Sequence, residues 1–228
     1  MSLKKSAAFA AGFWALLMVG LTNTPAHALN YRLVPAELPG CKGQCPGVIV
    51  ATGTIRQNEG LELLTFIQDN AGKNAVSKLM VIESPGGFNV GGATLGTVLR
   101  KLNMTVIVGQ WTGGSITGTS GLAPSTCASA CVLVLAGGAK RFFIPGSRVG
   151  VHRSHTGPEV RDPVTRQVVN GRVNNDDVKS AYVSYFKQMG VGQGLADLAD
   201  KTESGSMYWL SAQEMAKFKL AQDATKRR

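Results

Sequence analysis

Apolar residues along this chain arrive in short, nearly uninterrupted runs, separated by stretches with helical spacing. Residues 48–55 (VIVATGTI) read as a strand, and residues 59–70 (EGLELLTFIQDN) as a helix with Leu61, Leu64 and Ile67 on one face. A second strand is predicted over 78–83 (KLMVIE), a helix over 90–102 and a third strand over 104–109 (MTVIVG). Residues 110–126 are dominated by Gly, Ser and Thr and read as a long loop. A helix of small and apolar residues is expected over 127–137 (CASACVLVLAG), then strands over 140–144 and 148–152. Residues 153–174 read as a polar, exposed excursion, and helices near 175–190, 193–201 and 211–221 complete the chain. Strands that are apolar at almost every position, alternating with helices, call for a parallel sheet covered on both faces. The fold class is therefore α/β, with one domain over residues 48–222.

The flanks have a different character. Lys4 and Lys5 precede an apolar run over 7–21, followed by the small-residue tripeptide Ala26-His27-Ala28. That order is a secretory signal peptide over 1–28, with cleavage expected after Ala28. The run of about fifteen apolar residues falls short of the roughly 20 needed to span a bilayer. The expected location is a bacterial periplasm or the exterior, where thiols oxidise. Residues 29–47 read as an irregular segment broken by Pro35, Pro39, Gly40, Gly43, Pro46 and Gly47, and residues 223–228 as a basic tail.

Composition adds one number of consequence, a formal charge of +10 from 24 Lys+Arg against 14 Asp+Glu. Such a charge often points to nucleic acid. An exported chain seldom meets that partner, and no aromatic-interleaved basic stripe of the single-strand-binding kind is present. No nucleic-acid partner is expected.

Three features carry candidate chemistry. Ser84-Pro85-Gly86-Gly87 stands between a strand and a helix, where glycines permit positive φ and leave amides free for a developing oxyanion. Ser129, within Cys127-Ala128-Ser129-Ala130-Cys131, follows a loop and opens a helix, a setting that favours negative charge and close substrate approach. His152 ends a strand and has the chemistry of a general base.

Taken in order, these stretches resemble the Clp-type serine peptidases, which have the ClpP/crotonase fold, a spiral of ββα units. The resemblance covers roughly residues 48–222. It rests on Val48-Ile49, Thr52-Gly53, Ser84-Pro85-Gly86-Gly87, Ala136-Gly137, Lys140-Arg141-Phe142, Pro145, Ser147-Arg148-Val149 and His152. With the signal peptide and the CASAC pattern, the chain looks most like the exported, periplasmic branch of Clp-like proteins. The resemblance implies Ser129 as nucleophile, His152 as general base, and the amides of Gly87 and Ala130 as oxyanion hole. It also implies hydrolysis of peptide bonds in a peptide or protein substrate, no cofactor, and self-association. An exported chain has no ATP supply, so no ATPase partner is expected.

One departure matters. The orienting aspartate of the family falls on Met207 here, or on Gly205 if a short insertion is placed differently. Asp200 and Glu203 are the acidic residues able to substitute if the loop folds back. Without them the site is a Ser–His dyad, or a catalytically inert Clp-like interaction protein. Disabling the orienting aspartate in the general serine-protease template costs about 10⁴ in turnover.

The four cysteines leave further options. If residues 127–131 are helical, Cys127 and Cys131 share a face but stand too far apart for an unstrained bridge. A disulfide between Cys41 and Cys45, or one tying that pair to Cys127 and Cys131, then remains. Alternatively the two pairs, with His152 or His155, form a soft-metal site for an ion such as Cu(I).

Overall fold

A six-stranded sheet assembles where the apolar runs lie side by side. The computed structural model describes residues 28–35, 45–71, 76–114, 116, 120–154, 160–161, 168–170 and 175–226. Its strands are β1 (Asn30–Val34), β2 (Gly47–Thr52), β3 (Val76–Glu83), β4 (Thr105–Val108), β5 (Gln110–Trp111), β6 (Leu122–Ala123), β7 (Thr126–Ala128), β8 (Lys140–Phe143), β9 (Arg148–Val151), β10 (Val160–Arg161), β11 (Val168–Asn170), β12 (Tyr208–Trp209) and β13 (Gln222–Asp223). The helices are α1 (Glu59–Ala71), α2 (Asn89–Lys101), α3 (Ala130–Gly137), α4 (Asn175–Gln188), α5 (Gly194–Lys201) and α6 (Ala212–Lys217). The large sheet has the order β1-β2-β3-β4-β8-β13, parallel except for the antiparallel edge strand β1.

Alternation along these strands explains their unbroken apolar runs. Ile49, Ala51, Met80, Ile82, Val106 and Val108 face the helices and the main core. Val48, Val50, Val81 and Ile107 face a second cluster with Ile116, Leu122, Ile144 and Ala224. Both faces are dry, as parallel sheets require. A smaller sheet, β12-β9-β7, stands apart, with β7 and β9 parallel. It is stitched to β3 by the bridge between Ser84 and Cys127. This is a mixed α/β architecture, and it matches the expected class.

Several sequence expectations are corrected. The segment expected to be irregular supplies β1, because Asn30–Val34 contains no breaker and alternates, Tyr31 and Leu33 packing on the main core and Val34 on the other. β13 runs across the boundary of the expected tail, with Asp223 paired to Phe143 of β8, and Ala224 after it is buried, so ordered structure continues past residue 222. The polar excursion holds the hairpin β10–β11, the long loop holds β5 and β6, and β7 runs from the last residue of that loop into the segment expected to be helix. On α1 the buried face is Glu59, Gly60 and Leu63, while Leu61 and Leu64 are 67% and 43% exposed. The cause is the fully buried Glu59 carboxylate. Its Oε2 accepts the Tyr31 hydroxyl at 2.9 Å and its Oε1 accepts the Arg56 backbone N–H at 3.0 Å, which sets the rotation of the helix. Burial, reinforced by that carboxylate, pushes the Tyr31 phenol well above its ordinary range. Residues 1–27, all but the last residue of the signal peptide expected over 1–28, lie outside the described residues.

Helices α2 and α3 approach to backbone contact. A Cβ on Gly137 would stand 2.2 Å from the Gly96 Cα, and one on Gly92 would stand 2.4 Å from the Ala130 carbonyl oxygen. The C-terminal end of α3 is held by two guanidinium groups. Arg141 donates to the carbonyls of Ala136, Gly138, Met189 and Lys219, and Arg100 to those of Ala136, Gly137 and Met189. Burial, with Arg100 nearby, lowers Arg141 to about 10, so it remains a cation at neutral pH. Because those carbonyls would lose charge-assisted partners, Arg141→Met is expected to cost about 2 kcal/mol in urea denaturation with the slope unchanged.

Candidate active site

The first side chain of the site is set by an abrupt change from strand to helix. Strand β7 ends at Ala128 and α3 begins at Ala130, leaving Ser129 between them at φ 56 and ψ −123. That is the conformation of the first central residue of a type II′ turn, a place normally taken by glycine. Non-glycine residues held there cost on the order of 1–3 kcal/mol and cluster at functional sites. The Ser129 N–H donates to the Gly150 carbonyl at 2.9 Å, and its carbonyl accepts from Val132 N–H at 2.9 Å. The side chain is half-buried.

His152 follows β9 directly. The register pairs Ala128 with Gly150, so both chains reach the end of the small sheet together. The His152 Nε2 lies 2.8 Å from Ser129 Oγ, and its Nδ1 lies 3.0 Å from the Ser204 carbonyl oxygen. A carbonyl only accepts, so Nδ1 carries the hydrogen. In the neutral ring Nε2 is then a bare acceptor, and the serine hydroxyl donates to it.

The Ser84-Pro85-Gly86-Gly87 turn lies against this pair. Gly86 and Gly87 have φ of 105 and 140. A Cβ on Gly86 would come within 2.7 Å of the Ala128 carbonyl oxygen, 2.8 Å of Ser129 Cβ and 3.3 Å of Ala130 N, so only glycine fits. The fully buried Ser84 hydroxyl accepts from Gly86 N–H at 3.1 Å and fixes the turn. Ile55 donates its N–H to the Gly86 carbonyl and accepts the Phe88 N–H on its own carbonyl. Among the described residues, neither the Gly87 nor the Ala130 amide has a hydrogen-bond acceptor.

The two acidic residues expected near the imidazole are elsewhere. The Asp200 carboxylate faces Arg153 Nε and Lys179 Nζ, both at 3.5 Å. Glu203 is exposed, and its carboxylate makes no described contact with His152. Their loop does fold back, but it presents a backbone oxygen. Met207, one of the two positions to which the resemblance assigns the orienting aspartate, packs against Gly150. The loop is tethered by Arg153, whose backbone N–H donates to the Thr202 carbonyl at 2.8 Å and whose Nε donates to the Asp200 carbonyl at 2.7 Å. A second chain, Asn89 to Ser154 to Tyr182, with both contacts at 2.8 Å, holds the segment after His152 to α2 and α4.

The cysteines also differ from expectation. The Sγ atoms of Cys127 and Cys131 are 2.06 Å apart, with a Cα–Cα separation of 5.2 Å. The helix starts three residues later than expected, so Cys127 lies in β7 and the turn at Ser129 draws the pair together. Paired sulfurs leave no thiolate for the soft-metal reading: Cys45 is disulfide-bonded as well, His152 is engaged with Ser129 and Ser204, and the remaining members, Cys41 and His155, lie outside the described residues.

No family model matches the sequence, and no curated protein does. Solved structures do match. A 1510-N membrane-bound stomatin-specific protease in complex with a substrate peptide aligns at a TM-score of 0.50 and 14% identity, over 78% of this chain and 74% of that one. The fold is ClpP-like. Another variant of the same protease aligns at 0.48 and 14%, over 78% of each chain, and ClpP1 from Listeria monocytogenes at 0.49 and 15%, over 79% of this chain and 92% of that one. Within this ClpP-like fold, the tether on the 200–204 loop generates a prediction. Arg153→Leu removes a charge-assisted bond, so amide exchange across 202–206 should rise about tenfold or more by mass spectrometry, while exchange in β2 to β4 stays unchanged.

Proposed function

We propose that this protein is an exported, ATP-independent serine hydrolase that cleaves peptide bonds. The observation that carries the reading is the line from the Ser204 carbonyl through His152 to Ser129 Oγ, which holds the imidazole in the tautomer a general base needs.

In this reading Ser129 Oγ attacks the scissile carbonyl carbon while His152 Nε2 takes the hydroxyl proton. The carbonyl oxygen becomes an oxyanion in front of the Gly87 and Ala130 amides, at the start of α3, where the helix favours negative charge. Collapse breaks the C–N bond, and His152 returns the proton to the leaving amine. Water then attacks the acyl-enzyme by the same route and releases Ser129.

A carbonyl in place of a carboxylate has a definite consequence. The loss of about 10⁴ on disabling the aspartate of the general template comes from the wrong tautomer. Here the tautomer is right and only the full charge opposite the imidazolium is missing, so the expected penalty is smaller than 10⁴. A slow but working enzyme follows.

Export is supported by the signal-peptide pattern over residues 1–28. No described helix is long and apolar enough to cross a membrane. Self-association is supported by Leu61, Leu64, Phe88 and Val90, all exposed on or beside α1 and α2. If α1 forms the contact, Leu61→Glu with Leu64→Glu should shift the sedimenting species to the monomer.

A fluorophosphonate probe tests the catalytic reading. The wild type should be modified once, on Ser129, with labelling abolished in Ser129→Ala and slowed at least about 10³-fold in His152→Ala. Absence of labelling in folded wild-type protein sinks the reading.

A further inference from the structure

Ser129 stands at the centre of a small ring closed by sulfur. Cys127 is the middle residue of β7 and Cys131 the second residue of α3, and both are 0% exposed. Between them run Ala128, Ser129 and Ala130, with Ser129 in a region of φ and ψ that non-glycine residues avoid. Outside this ring its backbone is held by one bond, from Ser129 N–H to the Gly150 carbonyl. The other, from Val132, comes from the helix that the ring itself anchors.

We infer that the Cys127–Cys131 disulfide is a positioning element for Ser129, a brace that fixes the first turn of α3 to the end of β7. So fixed, Ser129 Oγ stays on His152 Nε2, and Ala130 keeps its place at the start of α3. The inference rests on the serine-hydrolase reading and adds to it two residues that touch no substrate. Closing the brace removes two protons and two electrons from the two thiols. An external disulfide accepts them and becomes two thiols.

Burial separates a brace from a switch. Thiol–disulfide exchange needs an attacking thiolate to reach one of the sulfurs. Neither sulfur is reachable while β7 and α3 are packed, whereas Ser129 between them is partly open. The bond is therefore permanent in the folded protein, and only the nucleophile is presented. Without it, the strained turn competes with ordinary backbone conformations. The strain typical of such residues corresponds to about a ten- to hundredfold loss of the competent population.

The test uses the full oxidised chain beside two double variants, Cys127→Ala with Cys131→Ala, and Cys127→Ala with Cys131→Val, which refills most of the lost volume. Fluorophosphonate labelling rates are compared per folded molecule, with the folded fraction taken from circular dichroism, alongside amide exchange over 128–132. Expected are labelling about ten- to hundredfold slower in both variants, kcat on a reporter peptide falling with KM unchanged, and exchange rising by a similar factor. Equal labelling and exchange in either folded variant overturns the brace. Loss of the fold in both also overturns it, because the bond then supports the whole domain rather than the turn. A wild type that never labels sinks the hydrolase reading alone, and the exchange comparison then decides the brace by itself.

Discussion

Everything at the site depends on the parallel pairing of β7 with β9. Thr126, Cys127 and Ala128 stand opposite Arg148, Val149 and Gly150, and the ladder continues through Ser129 N–H to the Gly150 carbonyl. A serine from one strand end and a histidine from the other thereby meet at 2.8 Å. In a pleated strand a slip of one residue would turn every side chain to the opposite face. The register is pinned from outside the pair as well. Ser84 bonds to Thr126 and Ala128 on one side, and β12 pairs with β9 on the other, with Trp209 opposite Gly150 and the Arg148 guanidinium 3.8 Å above its ring.

The close contact of α2 with α3 serves the same place. Glycines at 92, 96 and 137 let the two backbones touch, which brings the start of α2, with the Gly86-Gly87 turn before it, against the start of α3. Two arginines then hold the far end of α3. Packing thus sets the position of the serine turn relative to the glycine turn, and hydrogen bonds set the direction of each amide. The third contact, from Ser204, is of a different kind. It depends on a loop that crosses to His152 and is kept there by Arg153, so the imidazole is oriented by a neutral dipole whose placement is indirect.

Much of this was legible in the sequence. The apolar runs of β2, β3 and β4 identify strands buried on both faces, and Ser129, His152 and the Ser84–Gly87 turn stand out as candidate chemistry before any coordinates. Three things were not legible. The Ser204 carbonyl has no side-chain signature, because any residue type offers the same backbone acceptor. The rotation of α1 was misjudged because a buried Glu59, satisfied by Tyr31 and Arg56, outweighed the preference of Leu61 and Leu64 for burial. The cysteine pairing was misjudged because small apolar residues around Ser129 read as continuous helix, and only the left-handed φ at Ser129 separates strand from helix. The first comes from a contact distant in sequence, Tyr31 to Glu59, overriding local pattern, and the second from a single backbone conformation at Ser129.

His152 is held as an acceptor toward Ser129 by a donor bond to a backbone carbonyl. Two-bond proton–nitrogen correlation NMR on the folded protein, with the His152 ring neutral, reads this directly. Expected are a protonated Nδ1 and a bare Nε2. A proton on Nε2 in the neutral ring, with Nδ1 bare, contradicts it, because His152 would then have no lone pair to offer the serine.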